Sequence, residues 1–143
     1  MSQPVPIIFV GRVPDIALGI IEELKPEIEV IQHFAEPGVA TSQIPAILRK
    51  DAEIQSDTFM GTGDYTRSPV AILIGSWYND QMIQDFQSSV SGFSTLLWLR
   101  VDKYISSPPL GPQYSIVVGR RIKARLLDLV KSGAESPDYV HLV

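Results

Sequence analysis

Residues 5–24 read VPIIFVGRVPDIALGIIEEL, and the change of period inside this stretch decides the fold. The first six residues are an unbroken apolar run that stops at Gly11. A short β-branched run of this kind suits a strand covered on both faces, as in a parallel sheet. Pro14 and Asp15 then open a helix, because proline tolerates the first turn and an acid favours the positive helix end. Ile16, Ala17, Ile20, Ile21 and Leu24 recur on one helical face, and Lys25-Pro26 ends the helix. The unit is strand, short turn, amphipathic helix.

Outward from this unit the pattern repeats. Residues 29–34 (EVIQHF) form a second expected strand, followed by a turn at Glu36-Pro37-Gly38. A weaker helix is expected over 41–53, carrying Ile44, Ile47, Leu48 and Ala52, with Pro45 near its start. Residues 70–74 (VAILI) make a third strand ending at Gly75. Asn79 or Asp80 caps a third helix with Met82, Ile83, Phe86 and Val90 on one face. Residues 95–101 (TLLWLRV) make a fourth strand. The last helix is expected over 112–131 and stops at Gly133. The tail, 137–143, is apolar enough to dock onto the rest.

Alternating strands and helices imply right-handed crossovers and a parallel sheet. The expected fold is therefore α/β: a three-layer, Rossmann-like or flavodoxin-like open sheet of about four parallel strands with helices on both faces. Strand order 2-1-3-4 is preferred, with 3-2-1-4 as the alternative. One domain spanning 1–143 fits the length, since domains cluster near roughly 100–150 residues.

The chain has 143 residues, 45% hydrophobic and 20% charged, with 12 basic against 16 acidic side chains, a net charge of −4 and no cysteine. Disulfides, thiolate metal sites and cysteine nucleophiles are thereby excluded. The acidic balance gives no reason to expect nucleic acid. Arg120, Arg121, Lys123 and Arg125, the basic cluster, spread around a solvated helix face. No run reaches the roughly 18 apolar residues of a membrane span, and the start of the chain lacks a signal-peptide pattern. A soluble, cytoplasmic protein is expected, without membrane contact.

In open α/β sheets, ligands bind outside the carboxyl ends of the strands. The candidate cleft is thus lined by Gly11, Arg12, Asp15, Glu36, Gly75, Trp77, Tyr78, Asp80, Asp102 and Lys103. A dinucleotide fingerprint needs three glycines between the first strand and its helix. Here Gly11 and Gly19 flank Pro14, which removes an amide donor, and Asp15, which puts negative charge where a pyrophosphate would sit. Only Glu36, placed to hold a ribose, matches. No cofactor is expected, and an NAD(P) site of the usual kind least of all.

Other constellations are weaker. Gly61-Thr62-Gly63-Asp64 precedes a strand and lacks the phosphate-loop lysine, so a glycine turn with Asp64 and Arg67 paired is the plainer reading. A sharper one makes Gly61, Gly63, Tyr65 and Arg67 part of a lid over the cleft, drawn from the long irregular stretch 54–69. Asp15, Asp80 and Asp102 are expected to converge with Lys103 at the strand ends. This distantly resembles phosphoacceptor receiver domains, but the adjacent acidic pair of that family is missing, helix capping explains two of the three, and no metal site is predicted. Gly75-Ser76-Trp77 lacks the second half of a nucleophile elbow. His33 is expected among apolar strand neighbours and His141 in the tail, leaving no histidine in the cleft. Catalysis has no motif to support it, so enzyme status stays open.

Two functions follow as expectations. The first is an interaction module, a homodimer or a subunit bound to a protein partner. Leu96, Leu97, Trp98 and Leu99 make the fourth strand apolar on both faces, which invites pairing if that strand is an edge. The loop 104–110 also offers Tyr104, Ile105 and Leu110. The alternative is a binder of a small-molecule or nucleotide-type ligand, with or without catalysis, at the strand-end cleft.

Overall fold

A computed structural model describes residues 3–51, 53–92, 96–133 and 139–143. Five strands, β1 (Val5–Val10), β2 (Ile28–Phe34), β3 (Ala71–Ile74), β4 (Leu97–Arg100) and β5 (Val140–Leu142), form one all-parallel sheet in the order β2-β1-β3-β4-β5. Four helices flank it: α1 (Pro14–Leu24), α2 (Pro37–Leu48), α3 (Asp80–Ser89) and α4 (Pro112–Lys131). The architecture is the expected three-layer flavodoxin-like one, and the 2-1-3-4 order holds within it.

Alternation along the strands divides the core. Ile7, Phe9, Leu73 and Leu99 face α1 and α4, while Ile8, Val10, Ile72, Ile74 and Trp98 face α2 and α3. The helices α1 and α4 approach closely because glycine stands at the crossing. A Cβ on Gly19 would lie 2.6 Å from the Ser115 side chain, and one on Gly119 would lie 2.8 Å from Glu23 Cβ. Ser115 Oγ, freed to reach across, donates to the Ile16 carbonyl at 3.1 Å.

Three expectations are corrected. The sheet has five strands rather than four, because the tail docks as β5 against β4. Val143 closes this strand with two 2.9 Å backbone bonds, to Arg100 and Asp102. The fourth strand is therefore internal, with Trp98 and Leu99 fully buried, and the edge-pairing argument for it lapses. The second correction concerns hand. The crossovers through α1, α2 and α3 share one hand, but β5 continues outward beyond β4 while α4 lies on the α1 face, so the last crossover has the opposite hand. Burial explains this exception to the right-handed rule. Val118, Ile122, Leu126 and Leu129 of α4 cover a face that α3 cannot reach, and each such side chain is worth roughly 1.5–3 kcal/mol.

The third correction is α2, which runs over Pro37–Leu48 rather than 41–53 and so has Pro45 in its interior. Both ends are set by signals outside ordinary capping patterns. Asp57, some twenty residues downstream, accepts from the Ala35 and Glu36 amides at 3.2 and 2.6 Å and fixes the turn that enters the helix. At the other end Lys50 takes the left-handed conformation (φ 60°), with Lys50 N bonded to the Ile47 carbonyl and Asp51 N to that of Ala46. This is a Schellman closure without its usual glycine. Ala52, Thr95 and Pro137 lie outside the described residues.

Candidate functional site

The chain leaves β1 and β3 toward opposite faces of the sheet, the switch point at which open α/β sheets open a crevice. A cleft of about 240 Å³ lies there, and four of the expected residues meet in it: Gly11 and Arg12 after β1, Gly75 and Trp77 after β3. Its floor is apolar and was not legible in the sequence. Phe9 and Ile16 belong to the first βα unit, but Val101, Leu110 and Tyr114 arrive from β4 and the start of α4. Only the position of α4 beside α1 brings them together.

Arg12 and Trp77 form the mouth. The guanidinium carbon lies 4.8 Å from the indole centroid, and the same side chain pairs with Glu36. Trp77 is half exposed. Tyr78, its neighbour, is fully buried, and its hydroxyl donates to the Ala35 carbonyl at 2.5 Å. Its ring meets Trp77 and Phe86 edge to face, at 5.1 and 6.1 Å between centroids. Burial pushes the Tyr78 phenol well above its ordinary pKa; Arg12 opposes the shift, and Asp57 and Glu36 add to it. Tyr78 thus packs in the core behind Trp77 and is not part of the cleft lining.

The remaining strand-end residues stand elsewhere. Asp15 is exposed in the first turn of α1 and outside the cleft lining. Asp80, Asp102 and Lys103 border a separate pocket of about 280 Å³ above β4 and β5, with Arg100 and Tyr104. Asp80 is paired to Arg100 at 2.6 Å, and Asp102 accepts from the Tyr104 amide at 2.9 Å. The expected convergence of the three acids is overturned, because the β4 end lies two strands away from β1. Among the described residues no three His, Cys, Asp or Glu side chains are placed to hold a metal.

The glycine segment runs along the outer edge of β2 and away from the cleft. Thr62 N and Gly63 N donate to the Val30 and Ile31 carbonyls at 3.0 and 2.9 Å, Tyr65 donates to Gln32, and Arg67 pairs with Glu29 at 3.4 Å. Arg67 therefore does not pair with Asp64, whose carboxylate instead takes the Thr66 amide at 3.0 Å. Gly61, Gly63, Tyr65 and Arg67 cover a sheet edge, which a long exposed strand requires.

His33 stands buried among apolar strand neighbours, as expected, and outside the cleft lining. It lies directly behind Gly11, fully buried, packed edge to face on Phe9 at 5.3 Å. Nδ1 meets Thr58 Oγ1 at 3.0 Å, while Nε2, facing the Gly11 backbone, has no hydrogen-bond partner. Desolvation lowers its pKa to about 4, with partial opposition from the Gly11 backbone and Asp57. Its neighbour Gln32 is also buried, so β2 carries two polar side chains at its carboxyl end.

Fold and cleft define an open parallel α/β protein with an apolar crevice at its switch point. Within that class, the chain is 37% identical over 143 residues to Kojic acid related protein 6 of Aspergillus oryzae, covering 97% of this chain and 86% of the relative. The chain belongs to the family of that protein. No protein-family model and no solved structure matches it. Among the described residues no helix is long and apolar enough to cross a membrane.

Proposed function

We propose that this chain binds a small, flat organic ring compound in the cleft between β1 and β3. The observation that supports this reading is the pairing of a ready-formed apolar floor with the Arg12–Trp77 stack at its mouth. Binding pockets characteristically combine an apolar lining with a few convergent polar groups. A flat ring entering over Trp77 meets an aromatic face, and an acceptor on that ring meets Arg12. The name of the relative supplies one compound to try, kojic acid, itself a single six-membered ring. A cytoplasmic location belongs to the same proposal and rests on composition alone.

The test is an NMR titration with a set of flat ring compounds, kojic acid among them. The expected result is saturable movement of the Trp77 indole and the Gly11 and Gly75 amides. The indole of buried Trp98 serves as an internal reference and stays fixed. Movement of neither Trp77 nor the two glycines by any member of the set would count against the reading.

The second reading is an interaction module, a homodimer or a partner-bound subunit, and one observation favours it. Tyr104 and Leu110 stand largely exposed on the loop before α4, with Ile105 partly exposed. A sedimentation mass of twice the chain, lost on Tyr104→Ala, would place this reading ahead of the first.

A further inference from the structure

The covered edge of β2 carries a second cavity. It has about 490 Å³ and lies between the end of α1, the start of β2 and the 59–62 segment. Its floor is apolar, from Ile21, Ile28 and Val30, and Met60 forms part of the wall. That wall is fixed in place. Gly61 (φ 100°) passes so close to β2 that a Cβ there would lie 2.9 Å from the Ile31 carbonyl oxygen, and Thr62 Oγ1 donates to Glu29 at 2.6 Å. On this fixed wall Phe59 stands fully exposed, and Leu18 opposite is half exposed. The Phe59 ring gains nothing from burial within the fold.

Acids outnumber bases around this cavity. Three carboxylates line it, Glu22, Glu29 and Asp64, against one cation, Lys25, which is already paired with Glu22 at 2.8 Å. Arg67 pairs with Glu29 from outside and also acts on the Asp64 charge, so three acids face two bases and the rim keeps a net charge of −1. Among the described residues Asp64 makes no ion pair. An acidic rim around an apolar floor, with an exposed aromatic ring at the mouth, is complementary to one ligand class: an organic cation with an apolar body.

We infer that this cavity is a second ligand site, separate from the strand-end cleft, for a small organic ammonium compound whose apolar part rests on Ile21, Ile28 and Met60 while its charge faces Asp64 and Phe59. The 59–62 segment already lines the cavity.

A matched pair of probes tests this on the full chain. Benzyltrimethylammonium and benzylsulfonate share size and ring and differ in the sign of the charge. The expected result is a saturable shift of the Met60 methyl and the Gly61 amide with the ammonium compound. The sulfonate is expected to bind roughly tenfold more weakly or less, a difference of about 1.4 kcal/mol. Phe59→Ala, which removes only an exposed ring, is expected to weaken the ammonium compound roughly two- to fivefold, the range for an exposed cation–π contact. Asp64→Asn weakens it further, while the Trp98 indole signal stays fixed in both variants. Equal affinity for the two probes overturns the inference. So does the absence of any saturable shift, or movement of Trp77 in place of Met60.

Discussion

The Tyr78 hydroxyl donates to the Ala35 carbonyl across 43 residues of sequence, at 2.5 Å. This one bond ties the β3–α3 turn, which carries Trp77, to the β2–α2 turn, which carries Glu36. Arg12 touches both, through the indole and through the carboxylate. The mouth of the cleft is therefore a closed ring of contacts drawn from three separate strand ends.

Tyr78→Phe keeps the ring and its packing and removes the donor. The Ala35 carbonyl is then left unsatisfied beside a buried ring. The expected loss is roughly 1–3 kcal/mol of unfolding free energy, measured by urea denaturation. A loss below about 0.5 kcal/mol would mean that water replaces the hydroxyl, and that the tie contributes nothing.

The expected βα units were legible because each advertised itself locally. Apolar runs marked β1 and β3, Pro14 marked the start of α1, and Asn79, which accepts from Met82 N at 2.9 Å, marked that of α3. What was not legible depended on distant groups. The start of α2 is set by Asp57 from a loop beyond it, and its end by Lys50 in a conformation usually given to glycine. The tail reads as a short apolar stretch broken by His141, and only the edge of β4 makes it a strand. The same holds for the site. Gly11, Arg12, Gly75 and Trp77 sit at strand ends that the sequence marks, whereas Leu110 and Tyr114 enter the cleft only because α4 crosses to the α1 face.

That crossing makes Gly19 testable. Gly19→Ala would ordinarily improve a helix by about 1 kcal/mol. Here the added methyl meets the Cβ and Oγ of Ser115 at 2.6 Å, and Ser115 Cβ cannot rotate away. The variant is expected to lose roughly 1–3 kcal/mol, the range for overpacking. Gly19→Ala combined with Ser115→Gly should recover part of that loss. Equal stability of Gly19→Ala and the parent would mean that α1 and α4 separate without penalty.

Gly61 and Gly63 differ in a way that separates strain from collision. Both have positive φ, 100° and 71°, but a Cβ on Gly63 meets nothing within 4 Å. Gly63→Ala is expected to lose about 1 kcal/mol, the backbone contribution alone. Gly61→Ala adds a collision with the β2 backbone and is expected to lose clearly more, with loss of protection at the Thr62 and Gly63 amides in hydrogen exchange. If the two variants prove equally stable, the 59–64 segment is not held against β2.

His33 gives the chain a pH dependence of defined sign. Its folded pKa is about 4 against an ordinary 6.5, so protons bind the unfolded chain first. Stability is then complete above about pH 6.5, falls as pH drops toward 4, and loses no more from this group below that point. The full difference is on the order of 3 kcal/mol, at 1.36 kcal/mol per pKa unit. Carboxylates titrate in the lower part of the same window, so the comparison is with His33→Gln. The parent should lose more stability between pH 6.5 and 4.5 than the variant does, in urea denaturation at fixed ionic strength. Parallel curves for the two proteins would mean that the imidazole takes up its proton in the folded state, with Gly11 and Asp57 offsetting its burial.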